Sequence, residues 1–137
     1  MKAKLIISTL FYFFSLMLNA QTTDLEKYNK EKEAILSTIV NSVQFDSVYN
    51  SKQVYFKANE LLTQDTPICV KKGKKKVKIK SEINRQYVVV GDFTMPKINP
   101  KTARVQLEIL PQEYLLNLRL EKIKEAWTIT NHLIMKD

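Results

Sequence analysis

Between Ala103 and Leu120, apolar and polar residues alternate one by one. Ala103, Val105, Leu107 and Ile109 are separated by Arg104, Gln106 and Glu108, and beyond Pro111 the residues Leu116, Leu118 and Leu120 are separated by Asn117 and Arg119. A period of two suits a strand with one buried and one wetted face, and no helix can use it. Upstream, Tyr87, Val88, Val89 and Val90 begin a β-branched run that reaches about Phe93, before Met95, Pro96, Asn99 and Pro100 force a loop. Downstream, a polar turn around Lys124 and Glu125 leads into Trp127, Ile129 and Leu133. Four consecutive strands with short connections predict an antiparallel meander.

The periodicity changes near the start of the chain. Thr23 and Glu26 have capping-box spacing, and Leu25, Tyr28, Ile35, Leu36, Ile39, Val40 and Val43 then recur at helical intervals opposite Lys27, Lys30, Glu31 and Glu33. An amphipathic helix needs an apolar surface to lie on. The predicted fold is therefore α+β: one long N-terminal helix packed on the concave side of a curved antiparallel sheet of four or more strands. Between helix and meander, the pattern predicts a short strand near Gln53 to Lys57, a second short element over Glu60 to Leu62, and a turn at Asp65, Thr66 and Pro67. No repeat of fixed period is present, which excludes solenoids and propellers.

Lys2 and Lys4 precede an apolar stretch from Leu5 to Leu18, followed by Asn19, Ala20 and Gln21. This is the pattern of a secretory signal peptide cleaved after Ala20, and the stretch is shorter than the roughly 20 residues that a membrane span needs. The expectation is a single small domain over residues 21–137 that is not integral to a membrane. The signal resembles those of Gram-negative bacteria and implies a periplasmic or extracellular destination. Cys69 is the only cysteine, so no intramolecular disulfide is available. Its neighbours Pro67, Ile68 and Val70 predict burial in a strand.

The charge is not spread evenly. Cleavage lowers the formal charge from +8 to +6, and Lys71, Lys72, Lys74, Lys75, Lys76, Lys78 and Lys80 carry seven positive charges within ten residues, so the rest of the mature chain sums to −1. Val77 and Ile79 alternate with the last three of these lysines, which predicts a strand reached through a turn at Gly73. Such a segment attracts an acidic protein, an acidic polysaccharide or lipid headgroups. It equally suits an edge strand that uses lysines to repel other edges. Nucleic acid is disfavoured, because the segment has neither arginine forks nor aromatic rings for stacking.

Few catalytic chemistries have the residues they need. His132 is the only histidine, so no site of two or three imidazoles can be built, and Cys69 adds at most one soft ligand. No metal, cofactor or catalytic set is expected. Alternation places His132 on the solvent face of the last strand beside Thr128 and Thr130. Gly73 and Gly91 are too far apart in sequence to form a phosphate-cradling loop. Asp92 is the one acid within an apolar strand, and alternation assigns it to the face of Val88 and Val90, with Tyr87, Val89 and Phe93 on the other.

The closing residues Leu118, Arg119, Leu120, Glu121 and then Glu125, Ala126, Trp127, Thr128, Ile129 resemble the final hairpin of the NTF2-like, or cystatin-like, superfamily. The resemblance covers about the last 50 residues; the first half departs from it, with one convincing helix where the superfamily has two or three. It implies a cone-shaped α+β fold, a pocket beneath the helix where Asp92 or a tyrosine serves an enzyme or ligand carrier, and a homodimer through open sheet faces. The residues themselves point first to a secreted non-catalytic binding or scaffold domain with the lysine segment as its contact surface.

Overall fold

A computed structural model describes residues 24–65 and 68–137. The expected signal peptide, the Thr23 end of the capping box and part of the turn at Thr66 and Pro67 lie outside the described residues. The α+β expectation holds: a helix, α1 (residues 24–40), packs against a six-stranded sheet, and a two-stranded hairpin lies beside it. After α1 the elements are α2 (Val43–Asp46), β1 (Tyr55–Lys57), β2 (Lys71–Lys72), β3 (Lys75–Lys76), β4 (Lys78–Lys80), β5 (Tyr87–Thr94), β6 (Thr102–Leu110), β7 (Tyr114–Ile123) and β8 (Ala126–Lys136).

β5 to β8 form the expected meander, each strand pairing antiparallel with the next. The full sheet is mixed, in the order β4-β1-β5-β6-β7-β8, because β1 lies parallel to both β4 and β5. The long connection that follows β1, residues 58–77, permits this, since a parallel pair needs a crossover rather than a tight turn. The expected element over Glu60 to Leu62 is a bend. Asn59 organises it: its Oδ1 accepts from the amides of Leu61 and Leu62 at 3.0 Å each, and its Nδ2 donates to the Val90 carbonyl at 2.8 Å.

One apolar cluster joins helix and sheet. Ile35, Leu36, Ile39 and Val40 from α1 and Phe56, Val88, Leu107, Ile109, Leu116 and Leu120 from the strands are fully or almost fully buried in it, and Trp127 closes one end. The helical stripe stops at Val40, one turn earlier than the spacing predicts. Ser42 accepts from the Phe45 amide at 3.2 Å and caps α2, so the chain turns and Val43 ends 78% exposed. Tyr49, stacked on Phe45 at 4.9 Å, donates to a backbone carbonyl of Gln53 or Gln86 and accepts from the buried Tyr55 amide at 3.2 Å.

Two bulges break the alternation. In β5 the register shifts between Val90 and Asp92, so Phe93 joins Val88 and Val90 on the buried face and Asp92 is exposed, the reverse of the simple alternation. In β8 the shift opposite Arg119 and Leu120 leaves Thr130 as the extra residue. Thr128 then pairs with Glu121, and His132 pairs with Leu118 on the other phase of the strand, although His132 is still exposed.

The β7–β8 hairpin closes through Lys124 and Glu125, both in the left-handed region at φ 50° and 65°. Two such residues in succession define a type I′ turn, which favours Asn-Gly. Replacing Glu125 with glycine is expected to raise the unfolding free energy by about 1 kcal/mol, because glycine adopts this φ without a Cβ penalty. Urea denaturation checks it; a fall in the midpoint would be the contrary result.

Candidate functional site

The lysine segment folds as a hairpin followed by an edge strand. β2 and β3 pair Lys71 with Lys76 and Lys72 with Lys75 around a turn in which Gly73 has φ +61°, a conformation that favours glycine. Val70 and Val77 are both buried and joined by a 2.8 Å bond from the Val77 amide to the Val70 carbonyl, so two valines root the hairpin in the core. β4 then forms one edge of the main sheet, pairing Lys78 with Tyr55 and Lys80 with Lys57.

The second half of α1 holds this backbone in place. The Cys69 amide donates to Glu33 Oε2 at 3.0 Å, and the Lys71 amide donates to Ser37 Oγ at 3.1 Å. Asn41, just past the helix, donates to the Lys71 carbonyl at 2.7 Å and accepts from the Gly73 amide at 2.8 Å. These anchors were not legible in the sequence, because each joins residues thirty or more positions apart.

Lys72 is the one lysine of the segment with an ion pair among the described residues. It reaches Asp46 and lies 5.1 Å from the Phe45 ring centre. Lys80 lies 5.5 Å from the centre of the Tyr55 ring. Lys80 is exposed and has no ion pair either, whereas Lys71, Lys74, Lys75, Lys76 and Lys78 are exposed with neither an ion pair nor a ring contact among the described residues. Five ammonium groups thus project from an anchored backbone, ready to meet anions without first breaking an internal pair.

The other sequence candidates are placed differently. Cys69 is half-exposed and lies in a non-strand segment, because its amide bonds to a helix side chain instead of a neighbouring strand. Asp92 lies on the outer sheet face, in a shallow depression of about 370 Å³ shared with Arg104, Gln106, Asn117 and Arg119 and bordered by His132. Among the described residues, no cluster of three or more His, Cys, Asp or Glu side chains is suited to hold a metal ion.

Lys32 is a feature the sequence did not signal. It occupies an apolar-face position of α1, is 8% exposed, donates to the Leu61 carbonyl and lies 5.2 Å from the Phe93 ring centre. Burial pulls its ammonium below the usual lysine range. It fastens the Asn59 bend to the helix.

No protein family, curated protein or solved structure matches the chain.

Proposed function

We propose that this chain is a secreted, non-catalytic binding or scaffold domain, related to the NTF2-like superfamily, and that residues 71–80 are its contact with an anionic partner. The observation that carries the reading is the set of five exposed, unpaired lysines on a backbone fixed by Glu33, Ser37 and Asn41. Edge protection alone needs no such scaffold: a single lysine on β4 would discourage strand addition, whereas Lys74 and Lys75 stand on a separate hairpin. The apolar cluster beneath α1 supports surface contact over the pocket enzyme or carrier, because Leu107, Leu116 and Leu120 are fully buried in one cluster with Ile35, Leu36 and Ile39 of the helix.

The purified protein is expected to be retained on heparin at low salt and released as ionic strength rises, since exposed charges are screened over about 10 Å at 0.1 M salt. Replacing Lys74, Lys75 and Lys76 with glutamate should abolish retention without changing the unfolding midpoint. Unchanged retention would remove the segment from the site.

A further inference from the structure

A second group of lysines gathers at the opposite end of α1. Lys27 and Lys30 from the first turns of the helix, Lys97 and Lys101 from the β5–β6 loop, and Lys122 and Lys124 from the β7–β8 hairpin surround a groove of about 860 Å³. Asp24, Glu31 and Glu125 also line it, leaving an excess of three positive charges. Glu31 is committed to Lys122 at 2.7 Å and to the Trp127 indole at 2.5 Å.

Three aliphatic side chains are exposed on the same three elements: Ile98, at 81% exposure, lines the groove itself, and Leu25 at 61% and Ile123 at 46% are next in sequence to residues that do. They account for half of the exposed large hydrophobic residues among the described residues. Separate aliphatic knobs around a cationic groove do not make the continuous apolar patch of a protein interface. A polysaccharide would use the lysines and leave the knobs in water. An anionic bilayer satisfies both, with phosphates for the ammonium groups and hydrocarbon just below them.

From this arrangement we propose that the end of the molecule formed by residues 24–31, 97–101 and 122–125 seats on the surface of an anionic phospholipid membrane, with Leu25, Ile98 and Ile123 inserted among the headgroups. The seating is peripheral; no described helix is long and apolar enough to cross a membrane. α1 is about 25 Å long at 1.5 Å per residue, so the lysine hairpin at its far end stays clear of the lipid.

The test is co-sedimentation of the purified protein with vesicles of phosphatidylcholine alone and of about three parts phosphatidylcholine to one part phosphatidylglycerol. Binding is expected only to the anionic vesicles. Replacing Lys97, Lys101 and Lys124 with glutamate should weaken it about a hundredfold or more, since each lysine near such a surface contributes about a fivefold factor. Ile98→Ser with Ile123→Ser should weaken it at least tenfold, and both variants should keep heparin retention through residues 71–80. Circular dichroism confirms folding, which these exposed positions in a loop, a turn and the last residue of β7 should not disturb. Absence of vesicle binding would overturn the proposal, as would binding lost in the Lys74, Lys75 and Lys76 variant but retained in these two. Heparin retention that followed the loop lysines, without vesicle binding, would reassign the face to a polysaccharide and also overturn it.

Discussion

Phe56→Ala is expected to lower the unfolding free energy by about 3–5 kcal/mol, the usual penalty for emptying a fully buried aromatic site. Phe56 is completely buried, and its strand lies between two parallel neighbours, opposite Ile79 on β4 and Val88 on β5. Because β1 has only three residues, few ladder hydrogen bonds can compensate for a cavity beneath it. A domain with a total stability of about 5–15 kcal/mol would lose a large fraction of it. β4 joins the main sheet only through β1, so the variant should also loosen the lysine segment and weaken heparin retention under native conditions. Urea unfolding provides the first measurement, and Phe56→Leu, which keeps most of the volume, should cost much less. A loss below about 1 kcal/mol in the alanine variant would mean that the cavity collapses and that β1 is not the keystone described above.

Glu31→Ala is the second large effect, with an expected loss of about 1.5–3 kcal/mol, the range for hydrogen bonds to a charged group. One carboxylate oxygen accepts from Lys122 Nζ at 2.7 Å and the other from Trp127 Nε1 at 2.5 Å, tying α1 to the β7–β8 hairpin. Glu31→Gln should recover part of the loss, since its carbonyl can still accept from the indole. Alkaline titration adds an independent signature. The hydrogen bond to Glu31 raises the Lys122 ammonium above its usual range, so this stabilisation is complete below the unfolded lysine value of about 10.4 and is lost as pH rises through the folded one. Lys32 acts with the opposite sign. Burial lowers its folded value, so folding carries a penalty while Lys32 is charged, and that penalty is released between the lowered folded value and the unfolded one. Stability of the native sequence should therefore rise and then fall through the alkaline range, and Glu31→Ala should reduce the fall while leaving the rise; part of the fall remains, because burial raises the hydroxyls of Tyr28 and Tyr49 above their usual range and disfavours their ionisation in the folded state. Urea midpoints measured across that range test both arms.

The parts of the fold set by neighbouring residues were legible in the sequence. Ala103, Val105, Leu107 and Ile109 are buried as their alternation requires, and so are Leu116, Leu118 and Leu120. Helical spacing likewise identified Ile35, Leu36, Ile39 and Val40. Legibility ended where a single residue shifts the phase. The bulge after Val90 moved Asp92 outward and Phe93 inward, and the extra residue at Thr130 changed the face to which His132 belongs. Neither shift leaves a mark in the hydrophobic pattern until the pairing is known. The parallel placement of β1 depends on contacts between residues more than twenty positions apart, for which alternation carries no information.

The candidate site divides in the same way. Residues 71–80 stand out because their charge is contiguous, whereas Lys27, Lys30, Lys97, Lys101, Lys122 and Lys124 form a group only after folding brings three separate parts of the chain together. The anchors Ser37 and Asn41 are polar residues near a helix end, and no local pattern marks them as anchors. Their roles follow from where the hairpin lands.

The bulge at Thr130 also bears on how the open sheet avoids unwanted pairing. β8 is the longest strand and forms one open edge of the sheet, with Leu133 and Met135 exposed near its end. An uninterrupted edge of that length would be a ready template for another chain. Thr130 falls near its middle and divides it into two shorter stretches, so an incoming strand in register with one is out of register with the other. The opposite edge has Lys78 and Lys80. One border of the sheet thus deters unwanted partners by mismatch and the other by repulsion, leaving the face not covered by α1 and the ends as the places where association can be selective.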